Sequence, residues 1–286
     1  MRILVTGANG QLGRTIVDVF APGHDVTATT VEELDIRDRA AVARACAAVA
    51  PDVIVNCAAY TDVDGSEEHP VDALEVNAFG VRTLAAGAAA AGACLVHYST
   101  DFVFDGRADR PYREEDAPNP RSTYACSKLL GEWFAAEAPR HYVLRVESLF
   151  GARPVAGDPR RGSVDRIADG IFAGEPVRVF ADRTVSPSHV ADVAAATRAL
   201  VEREAAPGLY HCANAGSCTW LDLAREIAAR AGVEARLVAV PMADAKLRAE
   251  RPTYCALSSE KLARAGFAMP SWQDAIARYL LARPPR

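Results

Sequence analysis

Tyr124 and Lys128 stand four residues apart in RSTYACSKLLGEWFAAEA, a segment with the apolar spacing of a helix. Residues at that separation share one helix face, so the phenol and the ammonium can enter one cleft together. The pair suits reduction of a ketone, which needs a hydride at carbon and a proton at oxygen. A free tyrosine titrates near pH ~10. A nearby ammonium stabilises the phenolate and draws that value toward the working range. The same lysine can hydrogen-bond the ribose of a nicotinamide cofactor. Lysine is scarce here: of 32 basic residues only Lys128, Lys246 and Lys261 are lysines. An arginine fork does not replace a compact ammonium that must point at one oxygen. The plainer reading of the pair is a solvated helix face with Tyr124 half buried.

About 25 residues earlier, HYSTDFVFDG ends an apolar strand with Ser99, Thr100 and Asp101 at its C-terminal edge. The Thr100 hydroxyl can hold a substrate carbonyl oxygen beside Tyr124. A hydride donor is suggested by GANGQLG, which follows the first strand and opens a helix with Gly7, Gly10 and Gly13. Glycine allows the tight turn and close approach of backbone N–H groups to a pyrophosphate, and the helix N-terminus adds partial positive charge. In this context the pattern points to a dinucleotide, with Gly7, Asn9, Gly10, Gln11 and Leu12 as its cradle. Ala58, Ala59 and Tyr60 close the third strand with small residues that leave room for the ligand. Asp35 and Ile36 are candidates for the adenine edge; for Asp35 a turn or helix-cap role is equally open. The second strand ends at Thr29 and Thr30, with neither an acid for a ribose 2′-OH nor an arginine for a 2′-phosphate. The cofactor is NADPH or NADH.

These residues need a frame. Short strands that are apolar almost throughout alternate with helical patterns: strands at 2–7, 25–29, 52–58, 93–100 and 142–150, helices at 11–20, 38–50, 70–91 and 121–138. That alternation predicts an α/β fold with a doubly wound, Rossmann-type parallel sheet buried on both faces. Residues 1–150 are expected to form the dinucleotide-binding domain, with 185–205 returning to it. Residues 151–286 are expected to form a smaller C-terminal lobe, opening with the Pro/Gly/Arg loop ARPVAGDPRRG. The segment GLYHCAN is assigned to that lobe, with helices near 162–173, 220–232 and 271–282.

Several classes are disfavoured. A net charge of −5 and no basic stripe argue against nucleic acid. No apolar run reaches membrane-spanning length and no leader pattern is seen, so a cytoplasmic protein is expected. Seven cysteines without a CxxC read as buried free thiols. The six histidines show no metal spacing, so no metal is expected; His97, within a strand, reads as a satisfied core residue. No hydrolase motif occurs.

The sequence resembles the extended short-chain dehydrogenase/reductases, and more closely the dTDP-4-dehydrorhamnose reductase family. The resemblance runs through GANGQLG, NCAAYTDVDGSE, VNAFGVRTLA, STDFVFDG, PYREEDAPNP, YACSKLLGE, SPSHVADVA and RPTYCALSSEKL. It implies a nicotinamide cofactor, a nucleoside-diphosphate-sugar substrate and reduction of a 4-keto group. It makes Tyr124 the proton donor, Lys128 its partner and Thr100 the third catalytic residue. It places Asp101, Glu147, Ser186 and Arg251 toward the substrate, and a homodimer is entertained. There are departures. Ala125 replaces the glycine of YGxxK. RVESLFG (145–151) stands where the family reads RTSWVYG. Tyr254 and Cys255 replace a small polar pair in RPTYC. Two other readings remain: a non-catalytic NADP-binding subunit, as in the regulatory β subunit of methionine adenosyltransferase, and a sugar-nucleotide epimerase or dehydratase that would use Asp101 and Glu147.

Overall fold

The computed structural model describes residues 1–152 and 162–283, so the expected loop ARPVAGDPRRG lies almost wholly outside the described residues. Along the chain run β1 (Arg2–Thr6), α1 (Gln11–Phe20), β2 (Asp25–Thr29), α2 (Arg39–Val49), β3 (Val53–Asn56), α3 (Gly65–Glu68) and α4 (Pro70–Leu74). Then come α5 (Gly80–Ala91), β4 (Cys94–Thr100), α6 (Thr123–Ala135), β5 (His141–Val146), α7 (Ser163–Phe172), β6 (Val177–Phe180) and β7 (Thr184–Val185). The remainder is α8 (Val190–Glu202), β8 (Gly208–His211), β9 (Cys218–Thr219), α9 (Trp220–Ala231), β10 (Leu237–Val240), α10 (Glu260–Arg264) and α11 (Trp272–Ala282).

Six strands form one parallel sheet in the order β2-β1-β3-β4-β5-β8. Alternate residues serve its two faces, as strand geometry requires. Ile3, Val5, Val53, Val55 and Val96 face α1 and α8, packing with Ile16, Phe20 and Val193. Leu4, Ile54 and Leu95 face α2 and α5, packing with Val42 and Leu84. The order reverses at β1, with β2 on one side and β3 on the other. A crevice opens at such a switch point, outside the carboxyl ends of the strands. A separate core gathers Ile167, Val179, Leu223, Ile227, Trp272 and Ile276 from α7, β6, α9 and α11, with Phe150 from the segment after β5.

Three expectations change. GLYHCAN supplies the sixth sheet strand: β8 pairs in register with β5, Tyr142 to Gly208 through Arg145 to His211. Its short sequence, with Gly, His and Asn among few apolar residues, gave no sign of that pairing. The long helix at 70–91 is interrupted by a π turn at Glu75–Phe79. The expected strand at 142–150 ends at Val146, because the Glu147 N–H turns to the Ser188 hydroxyl and Ser148 adopts a φ of 45°. Among the described residues no helix is long and apolar enough to cross a membrane.

Candidate active site

A cleft of about 1340 Å³ runs along the carboxyl ends of β1, β3 and β4. A single-ligand pocket spans roughly 300–1,000 Å³, so this one has room for two ligands in contact. Every expected cofactor residue lines it: Gly7, Asn9, Gly10, Gln11, Leu12, Asp35, Ile36, Ala58, Ala59, Tyr60, Tyr124 and Lys128. So do Thr100, Asp101 and Arg251.

The nucleotide end is shaped by main chain. Gly7 has a φ of 66°, and a Cβ there would meet the Ala58 N at 2.6 Å. A Cβ on Gly13 would meet the Gly7 carbonyl oxygen at 2.2 Å. The turn therefore closes only on glycine, the arrangement that lets backbone N–H groups approach a pyrophosphate. Behind it, Thr6, Asn56 and His97 are neighbours across β1, β3 and β4. Thr6 donates to the Asn56 Oδ1 at 2.7 Å, and the Asn56 amide faces the His97 Nδ1 at 3.1 Å. His97 is only half satisfied: its Nε2 is buried without a hydrogen bond, and burial with the nearby Lys128 charge pushes its pKa well down. Asp35 forms a turn, accepting the Arg37 N–H at 2.9 Å, while Asp38 caps α2. Arg14 and Arg37, which sequence reasoning passed over, also face this end.

The reaction centre is set by β4 and α6. Ser122 caps α6 by accepting the Ala125 N–H. The helix is anchored by Glu132, which takes Arg145 Nε and Nη2 at 2.8 Å each and the Ser99 hydroxyl at 2.5 Å. One helical turn earlier is Lys128, 3% exposed, whose Nζ donates to the Tyr98 carbonyl at 2.5 Å. Burial draws the Lys128 pKa down to about 8, with Glu132 opposing. Tyr124 meets the Thr100 hydroxyl, and Phe102 packs edge-on against its ring at 5.8 Å. Burial, then the Asp101 charge, push Tyr124 up to about 12, opposite to the direction expected from a neighbouring ammonium. Tyr124 is thus held protonated, and Lys128 titrates more readily than a free lysine.

Asn77 is a further residue that sequence reasoning did not single out. It is fully buried in the π turn, pairs with both the N–H and the carbonyl of Tyr60, and donates to the Ser127 hydroxyl on α6 at 3.0 Å.

At the other end the departures from the family pattern meet. Glu147 and Ser186, expected toward the substrate, do not line the cleft; each is 1% exposed. The Ser186 N–H donates to Glu147 Oε2 at 2.6 Å, and the Ser186 hydroxyl to the Gly216 carbonyl at 2.9 Å. Oxygens of Asp101 and Glu147 and the Cys255 sulfur lie within 4.8 Å of one another. Arg183, unnoticed in the sequence, lies beside them, 3.9 Å from Asp101 Oδ2 and 3.6 Å from the Cys255 sulfur, over the Phe102 ring. Burial raises Asp101 to about 6 and pushes Glu147 well above the usual carboxylate range, each against the pull of Arg183. Arg251 also lies over the Phe102 ring, 5.8 Å from its centroid, and pairs with Asp64 at 3.0 Å. Of the thiols, five are buried, Cys57 is half-buried and Cys126 is exposed on α6, contrary to the expectation that all are hidden.

A family profile described as the RmlD substrate binding domain matches residues 1–283. A dTDP-4-dehydrorhamnose reductase of Mycolicibacterium smegmatis is 38% identical over 281 residues, spanning 96% of this chain and 84% of that protein. The spore coat polysaccharide biosynthesis protein SpsK of Bacillus subtilis is 32% identical over 284 residues, 99% of this chain and 98% of that protein. Among solved structures, dTDP-4-dehydrorhamnose reductase of Bacillus anthracis in complex with NADP superposes with a TM-score of 0.92 at 31% identity, over 99% of both chains. A Thermus thermophilus UDP-glucose 4-epimerase complexed with NAD gives 0.84 at 26% identity, over 99% of this chain and 98% of that one. The chain, a doubly wound extended short-chain dehydrogenase/reductase in fold, belongs to the dTDP-4-dehydrorhamnose reductase family.

Proposed function

We propose that the chain is an NADPH-dependent reductase of the 4-keto group of a nucleoside-diphosphate 6-deoxy-4-keto sugar. The observation that carries this is the convergence of Thr100, Tyr124 and Lys128 in a cleft whose far end is a glycine cradle. Bound NADPH would supply a hydride. Tyr124, held protonated, gives its proton to the forming alkoxide. Thr100 holds the carbonyl oxygen, and Lys128 offers a cation to the phenolate left behind and to the cofactor ribose. Asp101 and Arg251 line the sugar end. Arg14 at the adenosine end supports NADPH over NADH, since a 2′-phosphate attracts a guanidinium, whereas Arg37 there is already paired with the Asp35 carboxylate at 2.6 Å. A homodimer in the cytoplasm with no nucleic-acid partner completes the reading; the net charge of −5 supports the last point. Supplied with NADPH and dTDP-4-dehydrorhamnose, the purified protein should consume the cofactor, followed by its absorbance, and yield a reduced sugar nucleotide. NADPH binding without turnover on any keto-sugar nucleotide would replace this reading with that of a binding subunit.

A further inference from the structure

Tyr124 must be reprotonated after every turnover, and a group directly behind it is built to hold a proton. The Tyr124 oxygen meets the Thr100 hydroxyl, and Thr100 Oγ1 donates to Asp101 Oδ1 at 3.0 Å. The other oxygen of Asp101, Oδ2, is buried without a hydrogen-bond partner, and so is Glu147 Oε1. One oxygen of each carboxyl lies within 4.8 Å of the other. Both residues are at least 98% buried; among the described residues Arg183 is the cation paired with Asp101, at 3.9 Å, and its charge also acts on Glu147. Two carboxylates beside one guanidinium in a dry site cannot both stay ionised; such pairs share a proton.

We propose that Asp101 and Glu147 hold one proton between them and that this proton refills Tyr124 through Thr100 after each reduction. The proposal rests on the ketoreductase reading of the same cleft. The step balances as follows. Tyr124 O–H gives its proton to the substrate oxygen as hydride reaches carbon, leaving a phenolate. The Thr100 hydroxyl turns from Asp101 Oδ1 to the phenolate and gives up its proton, and the Asp101 carboxyl, protonated on Oδ2, rotates to return a proton to Thr100 Oγ1. Asp101 has received that proton from Glu147. The pair is left as two carboxylates beside Arg183 and regains one proton from solvent when product leaves. No oxidant or further reactant is needed.

Other groups face the pair from each side. They are Tyr124 from α6, Arg183 from the segment before β7, Cys218 of β9, and Tyr254 with Cys255 from the segment that follows Arg251. None of the thiols or phenols among them is ionised near neutral pH, since burial raises each one. Arg183 already sets a cation 3.9 Å from Asp101 and 3.6 Å from Cys255, which favours a shared proton over a metal ion. Glu147 touches neither ligand and acts through Asp101 and Thr100, so it is a positioning residue of the relay.

Two measurements test this. Infrared spectra of the free protein at neutral pH should contain the carbonyl stretch of a protonated carboxylic acid, lost in Glu147→Gln. No such band, or one unchanged by Glu147→Gln, would overturn the proposal. Stopped-flow reduction should then separate first and later turnovers. In Glu147→Gln, Asp101 stands alone beside Arg183 and ionises. The first hydride transfer should keep the wild-type rate, and later turnovers should slow about tenfold or more with a larger solvent isotope effect. Glu147→Asp should restore much of the loss. Equal slowing of both phases, or slowing of neither, would sink the relay and leave Glu147 a packing residue. If wild-type protein shows no first turnover, the ketoreductase reading fails instead, and the infrared band still decides whether the pair holds a proton.

Discussion

The two ends of the cleft are made of different materials. The nucleotide end is shaped by backbone: Gly7 in a left-handed turn pressed against the Ala58 N–H, and Gly13 against the Gly7 carbonyl. The other end is shaped by buried charge, with Asp101 and Glu147 within 4.8 Å of each other and Arg183 3.9 Å from Asp101. Backbone cradles recognise a group common to many ligands and depend on conformation alone. Charged clusters depend on which side chains are ionised, so they respond to pH and to single substitutions. Tyr124 stands between the two and is sensitive to the second.

The sharpest way to separate the ends is Tyr124→Phe. Turnover should fall by about 10²–10⁴-fold, the usual worth of a positioned general acid, with NADPH affinity nearly unchanged by fluorescence titration. A parallel loss of affinity would mean that the two ends are not independent. Gly7→Ala should do the converse. A left-handed alanine costs about 1–2 kcal/mol before any clash, so cofactor Kd should rise tenfold or more while kcat at saturation holds. Retention of wild-type Kd would show that the cradle does not carry the cofactor. The mildest test is pH. With its pKa near 8, Lys128 is charged below that value and neutral above it, so kcat/KM should decline above pH 8. Folding stability should move the other way. Between 8 and the ordinary lysine value of 10.5 the unfolded chain binds the extra proton, so stability contributed at this site rises with pH across that window. A flat rate profile to pH ~10 would remove Lys128's charge from the chemistry.

The sequence made the nucleotide end legible because its signals are local. GANGQLG sits between a strand and a helix, and YACSK lies on one helix face, so short-range rules suffice. The sugar end was not legible for the opposite reason. Glu147, Arg183 and Cys255 come from three distant segments, and only packing brings them together. Glu147 stood out as an anomaly in RVESLFG, but its burial behind Asp101 had no sequence signal. The sixth strand was missed likewise, since GLYHCAN pairs with β5 through β-sheet contacts that sequence spacing does not encode. The direction of the Tyr124 shift also depended on long-range placement: the near ammonium was visible in the sequence, whereas the Asp101 charge and the desolvation were not.

The π turn at Glu75–Phe79 has a consequence for modularity. By placing Asn77 between the Tyr60 main chain and Ser127, it locks the wall of the nucleotide end to the helix that carries Tyr124 and Lys128. Those parts form one block, with the distance from the Tyr60 wall of the cleft to Tyr124 and Lys128 fixed inside it. Segments around Glu147, Arg183 and Arg251 attach from outside. A grafted or diverging sugar pocket can therefore change what is reduced without resetting how reduction is done.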